Sequence, residues 1–196
     1  ISISGAYLLK DEDASHLITA NASTLQSISL ETCPLLGPKF VCSIQSLHKH
    51  QVPSNTAGNN RLLELALSNM TQFTASDLSV LSQESSESLQ HLKSLTLENI
   101  GGLTDDVVGP ILAAAGLSLD NSLNLSHNHD LTDVTLSAIR QFNPRVKTLI
   151  LDGLKELTAP GLEALFTPLA GMGPPPKLKI LKLASLHSEA VTDEVL

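Results

Sequence analysis

The sequence predicts an α/β chain in which a short strand, a turn and a helix return about every 30 residues and stack into one parallel sheet. Three observations carry this. First, aliphatic pairs of the form LxL or IxI recur along the whole chain, ending at Ile3, Leu30, Leu67, Leu97, Leu125, Leu151 and Leu183, at intervals of 27, 37, 30, 28, 26 and 32 residues. Second, the phase is kept. Six residues beyond the first six of these markers stand Leu9, Leu36, Phe73, Leu103, Leu131 and Leu157; eleven beyond stand Ala14, Val41, Leu78, Val108, Leu136 and Leu162; fourteen beyond stand Leu17, Ile44, Leu81, Ile111, Ile139 and Leu165. All of these positions are apolar in a chain that is 42% hydrophobic, which random placement does not produce. Third, aromatic residues make up only 3% and there is no Trp, so the core is expected to consist of many similar aliphatic layers.

Within each unit the marker pair is a strand face of period two, and the positions eleven and fourteen beyond it are one face of a helix. The most regular unit runs from Leu92 to Asp106: LxxLxL, then Gly101-Gly102, then Leu103-Thr104-Asp105 opening a helix. Thr104 or Asp105 is placed to cap that helix, and Asp105 and Asp133 also suit the positive ends of the helices they open. The leading apolar residues are Leu25, Leu62, Leu92, Val146 and Leu178; Leu119 arrives one place early, so a bulge or irregular entry is expected there. Gly109-Pro110 should delay or kink the fourth helix. Length varies where helix returns to strand, at 48–60 and 167–177, and Pro, Gly and Asn make both stretches loops. The last unit slips, with Val191-Thr192-Asp193 two places late, and the chain stops at Leu196 within a first helical turn. With Ile1 in place of Met at the start, this is what a piece of a longer protein would show.

The charge balance bounds the function. A net charge of −8 argues against a broad basic footprint for nucleic acid. Two cysteines, Cys33 and Cys42, are too few for a disulfide framework, which makes a reducing compartment the default. Sequons occur at Asn21, Asn69 and Asn124, a number that chance supplies in a chain rich in Ser and Thr, and Asn124 falls in an expected strand. No signal peptide, membrane span or basic targeting cluster is visible.

The repeated LxxLxL, turn and helix resemble leucine-rich repeats, over the whole of residues 1–196. The resemblance implies one array of about seven repeats in a right-handed, curved βα solenoid, with a parallel sheet on the concave face and helices on the convex face. Cys33 stands where the cysteine-containing, F-box-associated sub-type has its cysteine, and Met70, Ile100, Asn128, Leu154 and Leu186 stand at the equivalent places. Thr104-Asp105, Thr132-Asp133 and Thr192-Asp193 match that sub-type's helix start, while Ala75 and Ala159 depart from it. Ile1 to Asp11 and Leu25 to Leu30 are similar to the repeat region of fungal nucleotide-excision-repair subunits. That resemblance implies a non-enzymatic scaffold or substrate-recognition subunit in nuclear DNA repair and ubiquitin-ligase assembly. Its partner would be an ATPase of the Swi2/Snf2 type, a ubiquitin-ligase subunit or a ubiquitination substrate, with DNA in the complex and no membrane. The alternatives are an F-box-type substrate receptor, for which no F-box-like segment is visible, a cytoplasmic location, and an array that binds damaged DNA itself.

In such an array the residues between the leucines face the concavity. The candidate partner-binding residues are Glu31, Glu64, Ser68, Ser94, Thr96, Glu98, Asn99, Asn124, Ser126, His127, Asp152 and Lys182, a small polar surface with an acidic column at Glu31, Glu98 and Asp152. Lys93, Lys147 and Lys179 recur beside the strands and are the candidate phosphate contacts. His127-Asn128-His129-Asp130 is the densest cluster of metal-ligand types, but Asn128 stands where leucine-rich repeats bond neighbouring turns, so a structural role is expected. His48 and His50 lie in a loop. Cys33 is expected buried and inert, and Cys42 partly exposed. Gly101-Gly102 lacks phosphate-loop spacing. No catalytic residue, metal site or cofactor is expected.

Overall fold

The computed structural model of the protein describes residues 1–47, 61–82, 87–168 and 174–186. Within them seven strands form one sheet whose order is the order of the chain: β1 (Ser2–Ser4), β2 (Ser27–Glu31), β3 (Glu64–Met70), β4 (Ser94–Ile100), β5 (Ser122–Asn124), β6 (Thr148–Ile150) and β7 (Ile180–Lys182). Every neighbouring pair is parallel, and the helix between successive strands supplies the crossover that such pairing needs. The helices are α1 (Asp11–Ala20), α2 (Pro38–Gln45), α3 (Ala75–Ser79), α4 (Asp105–Ala115), α5 (Asp133–Phe142) and α6 (Ala159–Phe166).

The register stacks like on like. Ile3, Leu30, Leu67 and Leu97 are successive partners, and so are Ile28, Leu65, Leu95, Leu123, Leu149 and Leu181. These rows form one apolar core with the helix residues Val41, Leu78, Val108, Leu136 and Leu162. The cysteine position is buried at Cys33, Met70, Ile100, Asn128 and Leu154, whatever residue fills it, and Cys42 is exposed. One expected core residue is wrong: Leu17 is 42% exposed and Ile18 takes its place beside Ala14. Spacings of three and four both keep roughly to one helix face, so a one-residue step turns α1 through about 100° without breaking its stripe.

One turn feature recurs, and two others each belong to a single unit. The residue two beyond each marker has positive φ: Gly5, Thr32, Asn69, Asn99, His127, Gly153 and Ser185. Its N–H reaches the carbonyl of the following unit, as in Thr32 to Ser68, Asn99 to Ser126 and His127 to Asp152. Gly101 and Gly102 are required by close approach: a Cβ on them would lie 2.2 Å from the Thr71 carbonyl oxygen and 2.4 Å from the Ala75 nitrogen. Asn128, 3% exposed, spans two units. Its amide donates to the carbonyls of Leu97, Leu125 and Ser126, and its oxygen accepts from the Ile100 N–H.

Thr74, Thr132 and Thr158 cap their own helices, but several helix ends are also fastened from neighbouring units, which corrects the capping expected at α4. Thr104 makes no side-chain cap, and Asp105 serves the next helix: its carboxylate accepts from Thr132 N (3.1 Å), Thr132 Oγ1 (2.7 Å) and Thr135 Oγ1 (2.5 Å). Asp133 does the same for Thr158, and Asp11 accepts from the N–H groups of Gly37, Lys39 and Phe40. At the other ends, the Asn143 amide donates to the carbonyls of Leu112 and Gly116, while Arg140, 2% exposed, donates to those of Ala164 and Thr167. Free helix termini expose unpaired backbone groups, and these side chains answer them across the stack.

Pro110 does not delay α4, which starts at Asp105 and runs through it. The ring sits on the exposed side and removes one hydrogen bond, to a carbonyl at the exposed Asp106. The early Leu119 is absorbed ahead of β5 by a 3-10 turn at Gly116–Ser118, and the β4–β5 register shows no bulge. The connection 48–60, His48, His50, the middle of 167–177 and the slipped start at Thr192-Asp193 lie outside the described residues.

Candidate protein-binding face

Alternation along each strand sends the leucines to the core and the residues between them to the open side of the sheet. Ser94, Thr96 and Glu98 of β4 are half-buried there, with Glu64 and Ser68 of β3 and Glu31 of β2 beside them, Asn124 on β5 and Lys182 on β7. The face is tied laterally. Ser4 donates to Glu31 (3.0 Å), Ser27 to Glu64 (3.1 Å), Asn121 to Ser94 (2.9 Å) and Asn124 to Glu98 (3.3 Å); Asp152 accepts from the Ala184 N–H (2.6 Å). Ser68 separates the first two members of the acidic column, since Glu31 pairs with Ser68 and Ser68 with Glu98. Carboxylates two strands apart are about 10 Å from each other, near one Debye length, so their repulsion is modest.

Two expectations about this face change. Ser126 is 3% exposed and donates its hydroxyl to Asn124 Oδ1 (2.6 Å), so it is not available to a partner. Asn99, next to last in β4, and His127, three residues beyond β5, are left-handed turn residues, and Asn99 is bonded to Asn69 (2.9 Å). They sit at the edge of the face.

The three lysines do not act alike. Lys93 pairs with Asp120 (3.6 Å). Lys147 and Lys179 are joined through their backbones (2.7 Å) and line one cavity with Arg145 and Lys177. Sequence reading missed Arg145 and Lys177, which lie in the connections leading into β6 and β7. Their closeness in sequence to the other two lysines was the available signal.

His129 Nδ1 lies 3.1 Å from the Gly153 carbonyl oxygen, and no group of three or more His, Cys, Asp or Glu suited to a metal occurs among the described residues. Nor is any helix among them long and apolar enough to cross a membrane. Asn124, one of the three sequons, is engaged within the sheet, which leaves its amide poorly placed for a glycan. No protein-family model matches the chain, and no curated protein matches it in sequence.

Proposed function

We propose that residues 1–196 are a leucine-rich-repeat array of about seven units, right-handed and curved with the sheet inside, and that it works as a non-enzymatic scaffold or substrate-recognition subunit. The observation that supports this best is the recurrence, unit after unit, of the same left-handed turn behind a row of leucines, beside an open sheet face of small side chains and spaced carboxylates. Such a face recognises a partner by shape and hydrogen bonding, while another subunit carries out any chemistry. Following the resemblance of its opening segments, the setting is nuclear excision repair and ubiquitin-ligase assembly, with a Swi2/Snf2-type ATPase, a ligase subunit or its substrate as partner.

The test is co-expression with the repair ATPase of that type, followed by size-exclusion chromatography. A stoichiometric complex is expected, lost in the Glu64→Lys/Glu98→Lys variant at unchanged melting temperature; absence of any complex overturns the proposal. Direct binding of damaged DNA has less support, because Lys93 is engaged by Asp120 and the chain carries a net charge of −8. Salt-dependent DNA binding by the isolated chain, abolished by removing Lys93, Lys147 and Lys179, would establish it.

A further inference from the structure

The rim where helices return to strands holds the strongest concentration of positive charge among the described residues. Between the ends of α4 and α5 and the segment leading into β7 lies an open cavity of about 790 Å³. Arg145, Lys147, Lys177 and Lys179 line it, four of the chain's twelve lysines and arginines, against one carboxylate, Asp120. Apart from Gln141, the remaining wall is apolar: Leu117, 53% exposed, with Pro144, Pro174 and Pro175. Proline rings fix their own backbone, so such a wall is largely formed before anything binds.

We propose that this groove docks an acidic peptide segment of a partner protein, whose carboxylates meet the four cations while an apolar side chain packs on Leu117 and the prolines. The site is separate from the sheet face and does not depend on how that face is read. Charge complementarity selects the class of ligand: cations gathered into one cavity on an otherwise acidic chain attract a compact anion cluster and repel basic segments. The apolar wall favours a peptide over nucleic acid, since a duplex lays many phosphates along an extended surface and gains little from proline and leucine. The volume falls within the range of ligand clefts and suits a few residues.

The probe is a fluorescein-labelled octapeptide of Glu, Asp and Leu, titrated with the 196-residue chain and followed by anisotropy. Saturable binding is expected, weakening about tenfold between roughly 50 and 300 mM NaCl. Lys147→Glu/Lys179→Glu should weaken it at least about tenfold, and replacing the peptide's leucines by serine about fivefold, while Lys155→Glu on the opposite rim leaves it unchanged. Should the double reversal lower the melting temperature, Lys147→Gln/Lys179→Gln takes its place, with an expected loss of about fivefold. The proposal is overturned by no saturation below about 1 mM peptide. It is equally overturned if the lysine variants bind as tightly as the parent, or if a DNA duplex of equal charge binds more tightly and displaces the peptide.

Discussion

Asp105 and Asp133 occupy the same position in successive units, and replacing each by alanine should have unequal consequences. Both carboxylates reach the threonine that opens the next helix, Thr132 and Thr158, accepting from its N–H and its hydroxyl. Only Asp105 also holds a second hydroxyl, that of Thr135, which is 1% exposed. The equivalent of Thr135 beside Asp133 is Gly161, where a Cβ would lie 2.1 Å from the carboxylate, so no hydroxyl is present. Losing the helix-start bonds should cost about 1 kcal/mol at either site. Orphaning the buried Thr135 hydroxyl adds roughly 1–3 kcal/mol, and water entering the half-open space offsets part of it. Asp105→Ala is therefore expected to cost about 2–3 kcal/mol, and Asp133→Ala about 1 kcal/mol.

Urea unfolding followed by circular dichroism measures both, provided the dependence on urea keeps its slope. Adding Thr135→Val to Asp105→Ala should restore about 1 kcal/mol or more, because the orphaned hydroxyl is gone. If Asp133→Ala proves as costly as Asp105→Ala, or if Thr135→Val restores nothing, the cost does not come from the second hydroxyl and the reasoning fails.

Asn128→Ala should destabilise the chain by about 2–4 kcal/mol in the same assay, since the Ile100 N–H and the Leu97 carbonyl lose a buried partner; a loss below about 1 kcal/mol would mean that water replaces the amide. At the left-handed turn position, Thr32 is a β-branched residue with φ of 52°, whereas Asn69 and Asn99 hold the same turn. Thr32→Asn is thus expected to stabilise by about 0.5–1 kcal/mol, and Gly153→Ala, at φ of 73° and crowded by the His127 ring, to destabilise by about 1–2 kcal/mol. Burial first, and then the charges of Arg61 and Lys93, hold the His91 imidazole below its usual range, against the smaller pull of Glu87. With the folded value depressed, this contribution to stability is complete above the ordinary value near ~6.5 and is lost as pH falls through the lowered one. An NMR titration should find the His91 ring changing at lower pH in the folded chain than in urea, and His91→Gln should flatten that part of the stability profile.

The spacing of Leu30, Leu67 and Leu97 revealed the stacked strands because core leucines are chosen by one demand, burial in a row, which leaves one residue type at a fixed interval. The left-handed turn had no such signature. Gly, Asn, Thr, His and Ser all occupy it, since the flanking hydrogen bonds impose its conformation and the residue only has to tolerate it. Asp105 was legible as a helix-start residue but not as one that caps its neighbour, because a capping pattern along the chain does not say which helix lies within reach. Arg140 and Asn143 escaped for a related reason: polar residues near a helix end read as solvated, and only the neighbouring unit's carbonyls make them interior. On the candidate face, Ser126 and Glu98 belong to the same alternation, yet Ser126 is buried, with its N–H and hydroxyl both turned back to Asn124 two residues earlier.

The polar residues of this chain thus divide by what they touch, and the division determines how binding experiments are to be interpreted. Asp11, Asp105, Asp133, Asn128 and Asn143 each satisfy backbone groups of a neighbouring unit, so changing them loosens the stack and would weaken any binding indirectly. Lys147, Lys177 and Lys179 line an open cavity with an apolar wall, and Glu64 lies on the open sheet face with a serine hydroxyl as its partner among the described residues. Exposed charges of this kind contribute little to folding. A change there that abolishes binding while the melting temperature holds reports on recognition itself. The acidic sheet face and the basic rim also differ in sign, so raising salt cannot separate them, but opposite charge reversals can: Glu64→Lys should affect only a partner on the face, and Lys147→Glu only one in the groove.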